Sequence, residues 1–412
     1  MRRSLVLVVV LVGVLMLSIS AITAQEPQEI TFTGWSINEG LSRDVILGFA
    51  NTYAEANSIT ITPVAFPFNE YLNQVILQAN GGQLSGAVQL DVAWMAPMAA
   101  LGVLRDLGAV VPEGVYTDAA LQSCQVGGVQ YGLPWTTASI GMVANQELLA
   151  AAGITELPTT IEAFEAALEA LEAYNPDVIP YAAMTDVAQL KDIIPWIYTF
   201  GGSVIAEDGT VSLGDEGSVA AVEWYASLLE RDLIAADIDR FDARQLFAQG
   251  LVGFYDDAIL ARSLAAGNKP ADLELTVVPV PHPVLNEGDA PQSLLWGHCV
   301  GVVDDAAGDA AADFALYLTG TPEVGISYFE QLSLPPTTVE ALASDVVSGD
   351  TYVSTWSNEV TAFASPNPFW GYAESARMES LLGEAVQSVF LGDATAADAL
   401  AAAAEEIADL LN

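Results

Sequence analysis

The 412-residue chain has only two cysteines and two histidines, and its 11 Lys and Arg are set against 53 Asp and Glu, a formal net charge of -42. Each shortage removes a class of function. Two sulfurs and two separated imidazoles, His282 and His298, offer no Cys or acid neighbours at metal-ligand spacing, so no metal site is expected. Nucleic acids and anionic membrane surfaces are held by Lys and Arg that replace counterions, and a chain this acidic repels both. The chain lacks the Gly-x-x-x-x-Gly-Lys phosphate cradle and the Gly-x-Ser-x-Gly nucleophile elbow, and nothing in it calls for a cofactor. A glycoside hydrolase needs two carboxylates flanking a cleft, whereas the adjacent Asp256 and Asp257 would leave a strand on opposite faces.

What is present is a large apolar fraction, 52% of the residues, enough for at least one sizeable core and, at this length, two or three domains. Arg2 and Arg3 precede an apolar run from Leu5 to Leu17 and small residues to Ala24, the pattern of a secretory signal peptide over 1–24. That run is shorter than the roughly 20 residues a spanning helix needs, which disfavours the alternative of a retained anchor. No Cys stands near the cleavage point to take a lipid, so a periplasmic or released protein is expected. No internal repeat or low-complexity linker interrupts the chain beyond Ala24.

Alternation over Glu29 to Trp35 predicts an opening strand, and Ser36 to Gly40 a polar turn before a helix from about Leu41 to Glu55. Ligands of open α/β sheets bind beyond carboxyl strand ends, which makes Trp35, Asn38 and Glu39 candidates. A strand over 60–65, a helix through Ala79 and a strand through Leu90 come next, with Trp94 just past the strand end. Gly128 to Gly153 then reads as a strand to Tyr131, a break at Leu133-Pro134, a crossing with Trp135 and Thr136, a second strand through Val143 and a helix opening at Asn145. Thr160 is an expected helix N-cap, and Trp196 and Phe200 share one helix face, where at least one of them is expected to pack in the core. Leu294 to Val302 is an apolar strand carrying Trp296, and the proline-rich 364–372 carries Phe369, Trp370 and Tyr372.

Tyr131-Gly132-Leu133-Pro134, Asn145 to Gly153, Leu90-Asp91-Val92, Phe247 to Asp257 and Leu334-Pro335-Pro336 together resemble the carbohydrate-type extracellular solute-binding proteins of bacterial ABC transporters, the maltose-binding-protein-like family. The resemblance spans nearly the whole chain after the signal peptide. It departs from the family pattern at Ala144, where a Tyr is usual, and near Ala258, where a Trp is usual, with Asp256 and Asp257 replacing small residues.

The resemblance implies an α/β fold of the periplasmic-binding-protein type II: two lobes, hinge crossings and an interlobe cleft, with 25–137 plus 293–340 as first lobe and 138–292 plus 341–412 as second. Crossings are expected near Thr136 to Ala138, Ser293 to Trp296 and Pro336 to about Asp345. It implies a monomer without enzymatic activity that binds a small molecule, a sugar or oligosaccharide, and docks on the permease subunits of its transporter. Sugars present flat C–H faces and a ring of hydroxyls, so the expected site has Trp94, Trp135 and Trp370 stacking, Glu39 and Asp257 accepting from hydroxyls, and Trp35, Asn38, Thr136, Trp296 and Tyr372 nearby. The family places Cys124 and Cys299 in one lobe, which leaves a disulfide and two buried thiols both open. The alternatives are a receptor for a cationic solute such as a polyamine, caged by aromatics and Asp256 or Asp257, and a secreted glycoside hydrolase.

Overall fold

The computed structural model describes residues 29–206 and 208–411, and the segment 1–24, expected to be a signal peptide, lies outside them. Eleven strands are named in chain order: β1 (Glu29–Thr33), β2 (Thr60–Val64), β3 (Ala87–Asp91), β4 (Gln125–Val126), β5 (Val129–Gln130), β6 (Gly132–Asn145), β7 (Ile179–Ala182), β8 (Val252–Ala258), β9 (Val277–Val280), β10 (Ser293–Val302) and β11 (Ala364–Ser365). The main sheet runs β2-β1-β3-β10-β6-β8-β7, with β9 on β6 and β11 on β10. β1 pairs in parallel with β2 and β3, as crossover helices require, while β10 runs antiparallel to both β3 and β6.

The long β6 and β10 carry the chain through the sheet. Gly132 to Pro134 of β6 pair with Cys299 to Gly301 beside β3, and Ile140 to Ala144 pair with β8, so the two halves of one strand serve two groups of strands. This differs from the expected break at Pro134. β8 reaches β6 only from Ile140 onward, so the N–H that Pro134 lacks is not needed by a second neighbour. An irregularity sits there: His298 pairs with Thr136 but Cys299 pairs with Pro134, and Trp135 is the extra residue. Gly297 lies opposite, where an added Cβ would come within 2.6 Å of the Thr136 carbonyl oxygen. The third crossing is tied to the first, since Thr136 Oγ1 donates to the Pro335 carbonyl at 2.8 Å and Thr337 Oγ1 to that of Pro134 at 2.6 Å.

Three apolar clusters fill the molecule. One under β1 and β3 gathers Tyr71, Val88, Leu90, Met95 and Met98 with Cys124 and Cys299, which form a buried disulfide across 175 residues. Another on the far side of β6 packs Phe164, Trp196, Trp224, Phe254 and Leu382. The largest holds Phe32, Trp135, Tyr255, Phe314 and Trp356. Most local predictions match: helices occupy Gly40–Asn57, Phe68–Asn80 and Ile161–Tyr174, and Thr160 Oγ1 accepts from Ala163 N–H as an N-cap. Strand β7 and the helix Arg240–Ala248 are additions to the sequence reading, and the second of them matters for the site.

Candidate functional site

Three adjoining cavities of about 500, 970 and 1280 Å³, open mouths included, run between the β1–β3 side and the β7–β8 side, and Phe68 borders all three. Phe68 reaches across to Phe241 of the opposite wall, their ring centroids 6.1 Å apart.

The wall built on β1 and β3 is aromatic because the chain leaves each strand on a bulky residue. Trp35 follows β1, Trp94 ends the short 3-10 turn after β3, and Phe68 opens the helix after β2. Trp94 stacks on Tyr71 at 5.6 Å and 21°, and lies 5.2 Å from both Phe68 and Trp35, so its ring is held in one plane at the largest cavity. Asp91 caps that turn by accepting from Ala93 N–H at 2.9 Å. Burial pushes its carboxyl up to about 6 against the pull of the Ala93 N–H and of Lys191 and Arg240.

The facing wall is charged. Lys191 pairs with Asp192 at 3.3 Å and lies 4.0 Å from Glu379, and Arg240 also pairs with Asp192. Burial opposes the Lys191 charge, but Glu379 and Asp192 outweigh it and its pKa rises. Burial also raises Glu379, with Lys191 opposing. Of the 11 Lys and Arg in the chain, Lys191, Arg240 and Arg244 border these cavities, a concentration that surface solvation does not require. Gln189, 4% exposed, accepts from Arg240 N–H through Oε1 and has a buried Nε2 without a partner among the described residues. Trp370 Nε1 is likewise unpartnered there and borders the same space. Buried donors of this kind cost free energy until an acceptor arrives.

Several predicted residues line the cleft: Trp35, Trp94, Trp296, Trp370, Asn38 and Glu39. Burial raises the Glu39 carboxyl, with Arg244 opposing and Asp257 adding. Four others are placed elsewhere. Trp135 is 2% exposed and stacks on Tyr328 at 5.0 Å and 12°, because the extra residue in β6 turns it into the core. Thr136 spends its hydroxyl on Pro335. Tyr372 packs on the cluster around Trp196 and borders none of the three cavities. Asp257 is fully buried and engaged four times: Arg244 Nε and Nη2 donate at 2.8 and 2.7 Å, Tyr255 O–H at 3.0 Å and Ala258 N–H at 2.8 Å. Asp256 turns the other way, as alternation demands, and takes His282 Nε2 at 2.6 Å and the Tyr181 hydroxyl.

The cleft residues absent from the sequence reading include Phe68, Gln189, Lys191, Asp192 and Glu379, and also Arg240, Phe241 and Arg244, which share one helix. Its signal was available: Asp239 followed by apolar Ala243 and Phe247, with the Asp239 carboxylate capping Asp242 N–H at 2.8 Å. His298, not among the candidates read from the sequence, lies on the cavity floor between Trp35 and Trp296. Among the described residues no group of three or more His, Cys, Asp and Glu could hold a metal ion, and no helix is long and apolar enough to cross a membrane.

A family model described as bacterial extracellular solute-binding protein matches residues 48–355. A Brucella abortus (strain 2308) protein, named no further than as a binding protein, is 23% identical over 212 residues, which are 48% of this chain and 50% of that one. The chain thus spans about half the length of the curated relatives it matches. Among solved structures, an ABC transporter solute-binding protein of Thermotoga lettingae bound with α-D-tagatose superposes with a TM-score of 0.84 at 18% identity, over 93% of this chain and 100% of that one. The maltotriose-binding protein of Thermus thermophilus, bound with maltotriose, gives 0.79 at 20% identity over 93% and 100%. At these identities the likeness shows the fold: the mixed α/β, two-lobed periplasmic-binding type.

Proposed function

The chain belongs to the bacterial extracellular solute-binding protein family, receptors of ABC transporters and not enzymes, and from that premise we propose that its solute is a neutral sugar or short oligosaccharide. The carrying observation is the pairing of a rigid aromatic wall, Trp94 held by Tyr71, Phe68 and Trp35, with a wall of amides, carboxylates and cations at Gln189, Lys191, Asp192 and Glu379. Aromatic faces suit the C–H faces of a pyranose, and fixed polar groups suit its hydroxyls. The sugars held by structural neighbours support the same reading.

In this reading β6, β10 and the Pro335–Thr337 segment are the hinge crossings, with 25–137 and 293–340 forming the first lobe. The sugar draws the lobes together, and the closed form docks on the permease subunits. The segment 1–24 directs export. The chain acts as a monomer.

A thermal-shift panel of glucose, maltose, maltotriose and tagatose, beside putrescine and spermidine, tests this. A ligand at a hundred times its dissociation constant adds about 2.7 kcal/mol, a clear rise in melting temperature. Response to a sugar supports the proposal. Response to the amines alone, weakening steeply with salt, would replace it with the cationic reading.

A further inference from the structure

His298 is 4% exposed on β10, and its ring meets Trp35 at 4.7 Å and Trp296 at 4.4 Å, both nearly edge to face. Gln89, fully buried on β3, lies behind it. Gln89 Nε2 is 2.8 Å from Ser36 Oγ and 3.2 Å from His298 Nδ1, while Gln89 Oε1 is 3.2 Å from the Ser36 backbone nitrogen.

These contacts settle a proton. A backbone N–H can only donate, so the Gln89 atom facing Ser36 N is the carbonyl oxygen and the other is the NH2. One hydrogen of that NH2 goes to Ser36 Oγ and the second to His298. An NH2 offers no lone pair, so Nδ1 must accept, and the imidazole proton resides on Nε2. Nε2 has no hydrogen-bond partner among the described residues, and His298 borders the cavity shared with Glu39, Arg240 and Arg244.

We propose that Ser36 and Gln89 form a relay that locks His298 in its Nε2–H tautomer, and that this N–H is a specificity-determining donor to an acceptor oxygen of the bound solute. The inference rests on the carbohydrate reading, in which that acceptor is a hydroxyl or ring oxygen. Gln89 is the positioning residue and His298 the one that touches the sugar. The donor is constant over the ordinary pH range, since burial and then the Arg244 charge hold the imidazole pKa at about 3, and Glu39 and Arg240 are the other charged groups bordering its cavity. A Ser or Thr hydroxyl would rotate to accept or donate, whereas a locked imidazole rejects a solute that presents a donor at this point.

The chain has two histidines, so the imidazole nitrogens of the uniformly ¹⁵N-labelled protein can be followed by long-range ¹H–¹⁵N correlation, with His298→Gln assigning the His298 set. The expected free-state spectrum has His298 protonated on Nε2 and bare on Nδ1, unchanged from about pH 5 to 8. Titration with glucose, maltose, maltotriose and tagatose in turn should move the Nε2 signal with the sugar that binds. Gln89→Glu, whose carboxylate accepts from Nδ1–H, should shift the proton to Nδ1 and weaken that sugar about tenfold. His298→Leu should weaken it similarly, whereas His298→Gln, whose amide N–H reaches the same place, should stay within about threefold.

A proton on Nδ1 in the free wild-type protein overturns the relay, whatever the variants do. Sugar binding that leaves Nε2 unmoved, or that His298→Leu does not weaken, overturns the contact alone. Failure of all four sugars to bind overturns the carbohydrate reading and with it the acceptor invoked here.

Discussion

Arg244→Met should be among the most damaging single changes in the cleft, although Arg244 is not in the core. The guanidinium is the sole cation hydrogen-bonded to Asp257 among the described residues, and the Asp257 side chain is fully buried. Removing it deletes two charge-assisted hydrogen bonds and leaves the carboxylate with the Tyr255 hydroxyl, the Ala258 N–H and the more distant Arg240, whose Nε lies 3.9 Å from Oδ1. Breaking a buried pair from one side costs about 3–5 kcal/mol. The cation over the Phe241 ring, 5.2 Å from its centroid, adds about 0.5–1 kcal/mol. Urea unfolding at pH 7 reads this as a lower midpoint at unchanged slope. The companion variant Arg244→Met with Asp257→Leu removes both charges and should recover at least half of the loss, because replacing a buried pair by apolar groups is often close to neutral. A single-variant cost below about 1 kcal/mol, or a double variant as unstable as the two singles summed, would refute the view that Asp257 is a paired structural anion.

Trp94→Ala should weaken the binding sugar by about 2 kcal/mol in calorimetric titration, whereas Trp135→Ala should cost about 3–5 kcal/mol of stability and leave the affinity of the folded protein nearly unchanged. Equal effects of the two on affinity would contradict their placement on the cleft and in the core. The Asp91 carboxyl, raised to about 6 from 3.8, makes the folded state bind a proton that the unfolded chain releases. Its stabilising effect is therefore complete below about pH 4 and lost as pH rises through 6, up to about 3 kcal/mol, and Asp91→Asn should flatten that part of a stability–pH curve. Reducing the Cys124–Cys299 disulfide, which spans 175 residues, should cost about 2–5 kcal/mol in urea, and alkylation before and after reduction should report no free thiol and then two.

Much of the architecture was legible along the chain because its signals are local. Thr160 caps a helix through its own side chain, periodicity marks Gly40–Asn57 and Ile161–Tyr174, and the run from Tyr131 to Gly153 carries two of the motifs that together make the family likeness. Trp35, Trp94, Trp296 and Trp370 were found because each stands at a strand end or crossing, where a chain leaving a sheet must expose or cover a large ring. Trp135 stands at such a place as well, and its direction depends on one extra residue in the pairing of β6 with β10. Period-two patterning cannot reveal that irregularity, since a shift of one residue exchanges the faces.

Partners across the fold were likewise invisible. Arg244 lies 13 residues before Asp257, but only the packing of its helix against β8 turns a predicted ligand acceptor into half of a buried ion pair. Gln89 and His298 are 209 residues apart, and no spacing rule joins them. The sequence by itself determined most of the secondary structure and the aromatic supply, because propensity, capping and hydrophobic period act over a few residues. Tertiary structure alone decided which polar groups remain free for a solute, because a buried group's availability depends on whatever distant residue is folded against it.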